Sequence, residues 1–310
     1  MIMMDDMVVI KTQDLTKTFG PTTAVKGLNL EVMKGELFGL VGPDGAGKST
    51  IMRLLAGIME PTAGEAWIAG YSILSRVETI KEEIGYMSQR FGLYEDLTVM
   101  ENIDFYADLY GVPKAERPPR IERLLGFSNL TPFKNRLAGK LSGGMKQKLG
   151  LACALIHTPR VLFLDEPTNG VDPVSRRDFW RILYDLLKEE ITVFISTAYL
   201  DEAERCTRIG LIHGGSLLMV EEPARVKKTF VVPMIEVFSP NARTAREALT
   251  GVEDVESVSI YGDRLHIAVK GPESIDRVID TLKAKGAEVE GYREIVPSLE
   301  DVFIALVKES

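Results

Sequence analysis

Stretches of consecutive apolar residues alternate with stretches of helical periodicity over about the first two thirds of the chain. The clearest apolar runs are "LFGLVG" at residues 37–42, "VLFLDE" at 161–166 and "VFIS" at 193–196. Short, continuous apolar runs of this kind are typical of strands that are buried on both faces. Such strands alternating with helices predict an α/β fold with a mostly parallel sheet up to about Leu218.

The pattern changes after "EEPARVKKTFVVP", where strand-like and helical segments follow one another in a new order. Leu265, Ile267 and Val269 alternate as on a half-buried strand, and the apolar residues of "SIDRVIDTL" fall on one helical face. The order strand, helix, two strands, helix, strand and a last helix predicts a small ferredoxin-like α+β domain at residues 230–310. For the last helix we predict a Ser298 cap with Asp301 three residues later. Its predicted packing residues are Leu299, Val302, Phe303 and Leu306.

Composition and charge restrict the function. A length of 310 residues predicts two domains, and a net charge of -8 argues against a surface that binds nucleic acid. The two cysteines, Cys153 and Cys206, lie far apart in helical segments and are interpreted as buried free thiols. The first ten residues carry acids where a secretory signal needs basic charge, and no run approaches a membrane span. These observations favour a cytoplasmic chain that reaches a membrane only through a partner.

The strongest chemical motif is "GPDGAGKST" at residues 42–50, directly after a predicted strand and before a helical run. Its glycines allow the backbone to bend around phosphate oxygens at the start of a helix. Lys48 is predicted to reach the β- and γ-phosphates, and Ser49 to offer its hydroxyl to Mg²⁺.

Paired acids end the predicted strand "VLFLDE". Asp165 is predicted to hold the Mg²⁺ shell, and Glu166 to orient the attacking water or accept a proton from it. Paired acids are weak evidence alone, because acids often end strands as solvated residues. Beside a phosphate-binding loop they predict a nucleoside triphosphatase.

A second helix N-terminus that is suited to binding phosphate narrows the choice of family. In "LSGGMKQKLGLACAL", beginning at Leu141, two glycines follow a serine at the start of a predicted helix. One triphosphate does not need two such sites unless the second serves another molecule. Here the sequence resembles the ATP-binding cassette (ABC) family over about residues 8 to 225. In that family the "LSGG" segment of one subunit closes over ATP that is held by the facing subunit.

The resemblance implies a P-loop cassette in residues 1–229, with a mostly parallel sheet, an antiparallel β part and a helical subdomain at about residues 90–158. It implies ATP and Mg²⁺ as cofactors. The nucleotide-binding residues that it implies are Phe19, Gly42, Pro43, Asp44, Gly45, Ala46, Gly47, Lys48, Ser49 and Thr50. Phe19 would stack on adenine, with a core phenylalanine as the alternative.

The remaining roles are carried over in the same way. Glu166 and Gln89 would act in catalysis, and Ser49, Gln89 and Asp165 would surround Mg²⁺. Asp172 would lie in the loop that crosses between facing subunits. The residues that would act on the ATP of the partner cassette are Ser142, Gly143, Gly144 and Met145.

Within the family, "EPTNGVDP", "LTVMEN" and the tail ending "PSLEDVFIAL" look most like ATPase subunits of bacterial drug- and polymer-export systems. That resemblance implies separate transmembrane permease subunits, a second cassette, and a location on the inner face of the cell membrane. Phe91, Leu93 and Tyr94 would line a docking groove for the permease, or else belong to the core. The tail would be regulatory or dimer-stabilising, or else purely structural. The alternative function is a soluble ABC protein that acts as a nucleotide-dependent switch without transport.

Two residues depart from the family pattern. Asp44 stands where the family usually has asparagine, and we expect its carboxylate to point outward. Ala198, between "FIST" and "YLDEAE", takes the place of the switch histidine that contacts the γ-phosphate in most cassettes. A methyl group donates no hydrogen bond, and loss of one such donor costs roughly 10² to 10³ in rate. We therefore expect this chain to bind ATP well and to hydrolyse it poorly at its own site.

Overall fold

The computed structural model describes residues 7–89, 92–229 and 232–309 of the chain. Contacts between residues divide the chain into two units, Met1–Val220 and Glu221–Ser310. Residues 221–229 are grouped with the second unit by these contacts, and the boundary after residue 229 stays a prediction.

The first unit contains two sheets and the helices around them. Its strands are β1 (Val8–Phe19), β2 (Thr22–Met33), β3 (Leu37–Val41), β4 (Ala63–Ile68), β5 (Tyr71–Ser72), β6 (Ile84–Met87), β7 (Val161–Asp165), β8 (Thr192–Thr197), β9 (Arg208–His213) and β10 (Ser216–Glu221). Its helices are α1 (Lys48–Leu55), α2 (Val77–Glu83), α3 (Val99–Leu109), α4 (Arg117–Phe127), α5 (Gly143–Leu155), α6 (Pro173–Lys188) and α7 (Leu200–Ala203). Short 3₁₀ turns lie at Thr131–Phe133 and Ala138–Lys140.

The larger sheet has the strand order β10-β9-β3-β8-β7-β6. Strand β3 pairs in parallel with β8 and β9, and β7 pairs in parallel with β8 and β6. Every residue of β3, β7 and β8 is buried, as expected for strands covered on both faces. The parallel sheet and its three predicted strands are confirmed. Because these strands are parallel, their carboxyl ends lie along one edge of the sheet.

The smaller sheet of the first unit has the order β2-β1-β4-β5, with antiparallel pairing throughout. Its apolar face packs over α1, and the shared core includes Ile10, Leu15, Ile51, Leu54 and Ile68. This sheet is the antiparallel β part that the family resemblance implies, and it covers the helix that follows the phosphate-binding loop.

The helical subdomain contains α3, α4 and α5. Helix α3 begins with a capping box, in which the Thr98 hydroxyl accepts a hydrogen bond from Glu101 N while the Glu101 carboxylate accepts one from Thr98 N. Just before it, Tyr94 is exposed and packs edge-on against Phe105, so it is not a core residue. Leu93 is partly buried, and Phe91 lies outside the described residues. The docking groove around these residues stays a prediction.

The second unit has the predicted ferredoxin-like topology. Its elements are α8 (Pro223–Thr229), β11 (Met234–Phe238), α9 (Ala242–Ala248), β12 (Val255–Tyr261), β13 (Arg264–Val269), α10 (Ser274–Ala284), β14 (Gly291–Ile295) and α11 (Leu299–Glu309). The sheet order is β12-β13-β11-β14, with every pair antiparallel. The predicted inward residues of β13 and α10 are buried together in one core.

The last helix begins as predicted, because Asp301 N donates to the Ser298 hydroxyl and Ser298 N donates to the Asp301 carboxylate. Leu299 and Val302 are buried, whereas Phe303 and Leu306 are only partly buried. The predicted packing residues are therefore buried in the first turn of the helix and only partly buried in the second.

Both cysteine side chains are buried free thiols, as predicted. Burial raises the pKa of Cys153 and of Cys206, so neither thiol is ionised at neutral pH. Among the described residues, no helix has both the length and the apolar character needed to cross a bilayer.

Candidate functional site

The loop between β3 and α1 has the backbone that its glycines permit. A Cβ on Gly42 would lie 2.2 Å from the carbonyl oxygen of Ile212, and one on Gly47, at φ +105°, would lie 2.4 Å from that of Ala24. Gly45 has φ +78° and faces open space. Helix α1 starts at Lys48, and the N–H groups of a first helical turn lack partners within the helix. The loop is therefore shaped to receive an anion.

Lys48 lies across this loop with only 4% of its side chain exposed. Its Nζ donates to the carbonyl oxygens of Gly42 at 2.8 Å and Pro43 at 3.1 Å. It also lies 3.1 Å from Oε1 of Glu166. The ammonium group is thus held at the mouth of the loop, beside the predicted catalytic acid.

The paired acids at the end of β7 face the start of α1. Asp165 Oδ1 accepts hydrogen bonds from the hydroxyls of Ser49 at 3.1 Å and Ser196 at 2.6 Å. Ser196 Oγ in turn accepts from Glu166 N at 3.0 Å. Glu166 has φ +47°, a left-handed backbone, and its Oε2 accepts from Nε2 of Gln89 at 2.9 Å. The predicted metal-shell and catalytic side chains therefore meet in one place.

A cavity of about 350 Å³ lies at this place. Its lining residues are Ala24, Asp44, Gly45, Gly47, Lys48, Ser49, Thr50, Gln89, Glu166 and Asn169. Besides Asp44, seven of the residues predicted to bind the nucleotide or to act in catalysis are among them. Asp44 is exposed and is among the residues that line the cavity, and the outward direction of its carboxylate stays a prediction.

Other predicted residues lie outside the lining. Gly42, Pro43 and Ala46 belong to the supporting part of the loop. Phe19 ends β1 with 46% of its surface exposed, and the Lys17 ammonium lies 5.3 Å from its ring centroid. The alternative that Phe19 is a core phenylalanine is therefore wrong, and its contact with adenine stays a prediction.

The "LSGG" segment is not part of the cavity lining formed by the described residues of this chain. Ser142 is exposed and caps α5 by accepting a hydrogen bond from Met145 N at 3.3 Å. Gly143 is exposed, whereas Gly144 is buried against α6, where an added Cβ would lie 2.3 Å from Cβ of Ser175.

Asp172 lies at the start of α6. Its carboxylate accepts hydrogen bonds from Val174 N at 3.1 Å and Ser175 N at 2.9 Å. The backbone N–H of Ser175 is the main reason why the pKa of Asp172 is lower than usual. Asp172 therefore caps α6 as a carboxylate and remains exposed.

Ala198 directly follows β8 and is exposed, so its methyl group supplies no donor at the end of that strand. The strand end sits beside the acids, because β7 and β8 pair in parallel up to Asp165 and Ser196. Ala198 therefore lies at the same sheet edge as the paired acids and has no polar side chain, and its identity as the switch position stays a prediction.

Three further residues belong to this region that the sequence reasoning missed. Ser196 joins Asp165 to the backbone of Glu166. Asn169 lines the cavity, and its Nδ2 lies 3.4 Å from Oε2 of Glu166. Glu202 is fully buried and accepts from the hydroxyls of Thr168 at 2.5 Å and Thr197 at 3.0 Å. The only signal in the sequence was position, because Ser196 is the last but one residue of a buried strand and Asn169 follows Glu166 by three residues.

The oxygen atoms of the site are suited to binding Mg²⁺ together with a nucleotide. Ser49 Oγ and Asp165 Oδ1 lie 3.1 Å apart, so a hydroxyl and a carboxylate oxygen are already adjacent. The described residues form no cluster of three or more acidic, histidine or cysteine side chains that would bind a metal unaided. Mg²⁺ does not require one, because it commonly binds through one or two carboxylates together with water and substrate phosphates.

Both units match known families. Residues 25–169 match the family described as "ABC transporter", and residues 222–307 match "ATP-binding protein DrrA1-3-like, C-terminal domain". Among solved structures, "Structure of ATP binding subunit of ABC transporter" aligns with a TM-score of 0.66 and 29% identity, over 72% of this chain and 93% of that one. The "Dimeric structure of a post-hydrolysis state of the ATP-binding cassette MJ0796 bound to ADP and Pi" aligns with a TM-score of 0.63 and 27% identity, over 69% and 98%.

Curated relatives include the "Probable multidrug ABC transporter ATP-binding protein YbhF" of Escherichia coli (strain K12), which is 44% identical over 287 residues. The aligned region is 92% of this chain and 49% of YbhF, so the chain spans about half the length of that relative. The "Nod factor export ATP-binding protein I" of Burkholderia lata is 34% identical over 299 residues, or 96% of each chain. The "Bacitracin transport ATP-binding protein BcrA" of Bacillus licheniformis is 34% identical over 96% of this chain and 97% of that protein. The chain therefore belongs to the ABC transporter family.

Proposed function

We propose that this chain binds and hydrolyses ATP to power an ABC exporter, with two cassettes closing around the nucleotide. The observation that carries the proposal is the convergence of Lys48, Ser49, Gln89 and Glu166 on one cavity beside Asp165. These residues come from the ends of β3, β6 and β7, which the parallel sheet brings to one edge.

In this proposal the loop backbone and Lys48 bind the triphosphate. The Lys48 ammonium exchanges its contact with Glu166 for the phosphate oxygens. Ser49, Asp165 and Gln89 would hold Mg²⁺, which neutralises phosphate charge when it is bound. Phe19, exposed at the end of β1, supplies a ring for the adenine base.

Hydrolysis depends on the carboxylate of Glu166, which orients the attacking water and accepts its proton. Gln89 donates to that carboxylate and holds it toward the cavity. Ala198 supplies no donor at the γ-phosphate, so the site of this chain hydrolyses ATP slowly.

The second half of each site comes from another cassette. Ser142, Gly143, Gly144 and Met145 are the start of α5 and lie outside the lining of this chain's own cavity. An exposed capped helix start with a free serine oxygen lone pair suits the phosphate of a facing subunit. Asp172, exposed at the start of α6, lies in the loop between the subunits. The partner is a second copy of this chain or a different cassette.

Export requires a separate transmembrane permease, to which the cassette binds at the inner face of the cell membrane. Three relatives carry names of multidrug, Nod factor and bacitracin transport proteins, and this supports an exporter. A net charge of -8 also argues against nucleic acid as the partner.

Purification of the tagged chain from detergent-solubilised membranes of its host tests the proposal. We expect a hydrophobic polypeptide of permease size to co-purify and the complex to hydrolyse ATP. Recovery of an ATP-binding chain only from the soluble fraction, without a membrane polypeptide, would favour the soluble switch. The Lys48→Ala variant controls for hydrolysis by a contaminant.

A further inference from the structure

The end of β8 lacks a polar side chain at Ala198, but it has one on each side. Thr197 is buried, and its hydroxyl donates to Oε2 of Glu202 at 3.0 Å. The same hydroxyl oxygen accepts from Tyr199 N at 3.0 Å. A hydroxyl has one hydrogen to donate, so Thr197 has none left for the cavity.

Tyr199 points the other way. It is 40% exposed, and its hydroxyl lies 3.5 Å from Oδ1 of Asn169. Asn169 lines the cavity, and its Nδ2 lies 3.4 Å from Oε2 of Glu166. The hydrogen bonds therefore form a chain in which the Tyr199 hydroxyl donates to the Asn169 amide and that amide donates to the Glu166 carboxylate.

The tyrosine ring is held in place by its surroundings. The guanidinium carbon of Arg176 lies 5.0 Å from the ring centroid, at cation-π distance. Arg176 also lies 3.5 Å from the fully buried carboxylate of Glu202, which accepts from Thr168 at 2.5 Å. The loop after β8 is thus tied to the loop after β7 by Glu202. This arrangement keeps Tyr199 beside Asn169.

We propose that Tyr199, acting through Asn169, orients Glu166 from the loop in which Ala198 supplies no donor. Tyr199 is a positioning residue in this scheme, and no proton leaves its hydroxyl. The two contacts are long, at 3.5 and 3.4 Å, and catalytic hydrogen bonds commonly tighten in the substrate complex. The inference rests on the proposed ATP hydrolysis and names the residue that supports it in the absence of the histidine.

The test is single-turnover hydrolysis of radiolabelled ATP with the full chain in excess, at several protein concentrations. We expect Tyr199→Phe to slow the hydrolysis step about fivefold. The protein concentration that gives half of the maximal rate should change less than about twofold. Asn169→Ala should slow it by a similar factor, and the double variant should be no slower than either single one, because the two residues act in series. Tyr184→Phe is the matched control, since Tyr184, on α6, donates to the carbonyl of Arg205 and is not among the residues that line the cavity.

A second comparison uses Ala198→His as the background. With a histidine present, Tyr199→Phe should slow hydrolysis by less than about twofold, because the missing donor has been supplied. An unchanged rate for Tyr199→Phe in the parent, or an equal loss in both backgrounds, overturns the inference. A parent that binds a fluorescent ATP analogue but hydrolyses no faster than free solution also overturns it, while leaving nucleotide binding intact. A parent that fails to bind the analogue contradicts the proposed function itself.

Discussion

The ammonium group of Lys48 lies 3.1 Å from Oε1 of Glu166, and these side chains are only 4% and 12% exposed. A cation and a carboxylate in such a site stabilise each other, and the proposed function gives each of them a different role toward the nucleotide. Phosphate oxygens that enter the loop compete with Glu166 for the lysine. In the proposed function, binding of ATP therefore releases the carboxylate to act on water.

Lys48→Ala should remove most of the affinity for ATP, because the side chain supplies the main charged contact to the phosphates. Titration with a fluorescent ATP analogue measures the loss. Lys34→Ala is a suitable control, since Lys34 pairs on the surface with Glu190 at 2.6 Å, away from the cavity. If Lys48→Ala bound the analogue as tightly as the parent, the assignment of the phosphate-binding loop would be wrong.

Glu166→Gln should keep nucleotide binding and trap a closed dimer, because an amide has the same shape but accepts no proton from water. Size-exclusion chromatography in MgATP, compared with MgADP, reports the dimer. The parent under the same conditions is the control. A variant that elutes only as a monomer in MgATP would count against the two-cassette sandwich.

Ala198→His should raise steady-state hydrolysis by at least about tenfold, which is roughly 1.4 kcal/mol of barrier. The added imidazole supplies the donor that the methyl group lacks. Ala198→Leu adds bulk without a donor at the same exposed position and should give no gain. A parent that already hydrolyses ATP quickly and gains nothing from histidine contradicts the missing-donor account.

Gly144→Ala should destabilise the cassette by about 1 to 3 kcal/mol, because the new Cβ would lie 2.3 Å from Cβ of Ser175. Gly143→Ala is the matched control, since no heavy atom lies within 4 Å of a Cβ at that position. Urea unfolding of both variants measures the difference. Equal stabilities would show that α5 and α6 separate at little cost, and restoration by Ser175→Gly in the Gly144→Ala variant would support the steric cause.

A chain that ends at Glu222 should still fold and bind ATP. The residues after Val220 form a separate contact unit with a core of their own, and a family match begins at residue 222. Thermal unfolding should stay cooperative, and binding of the ATP analogue should match the parent. Insoluble or unfolded protein would show instead that the cassette requires the tail.

The sequence was most informative where a local motif determines local structure. The loop glycines, the helix start after Ser142 and the Ser298–Asp301 capping box follow from residues within a few positions of each other. The order of strands and helices in the tail also predicted its sheet, because few topologies suit that order.

Contacts between distant segments were not predictable in this way. Glu202 reaches Thr168 across 34 positions, and Ser196 reaches Asp165 across 31. Neither residue belongs to a motif whose spacing reveals the contact. The parallel pairing of β7 with β8 sets Ser196 opposite Asp165, and Glu202 and Thr168 lie in the segments that follow these two strands. The sequence also did not predict whether Phe19 is buried or exposed, since a single aromatic residue at a strand end fits both a core and a surface.

The backbone of Glu166 is left-handed, at φ +47°. A side chain at such a position costs about 1 kcal/mol or more relative to glycine, which adopts this conformation freely. Substitution by glycine would therefore relax the turn after β7 while deleting the carboxylate. In the proposed function the deleted group is the one that acts on water, so the more stable variant would be the less active one.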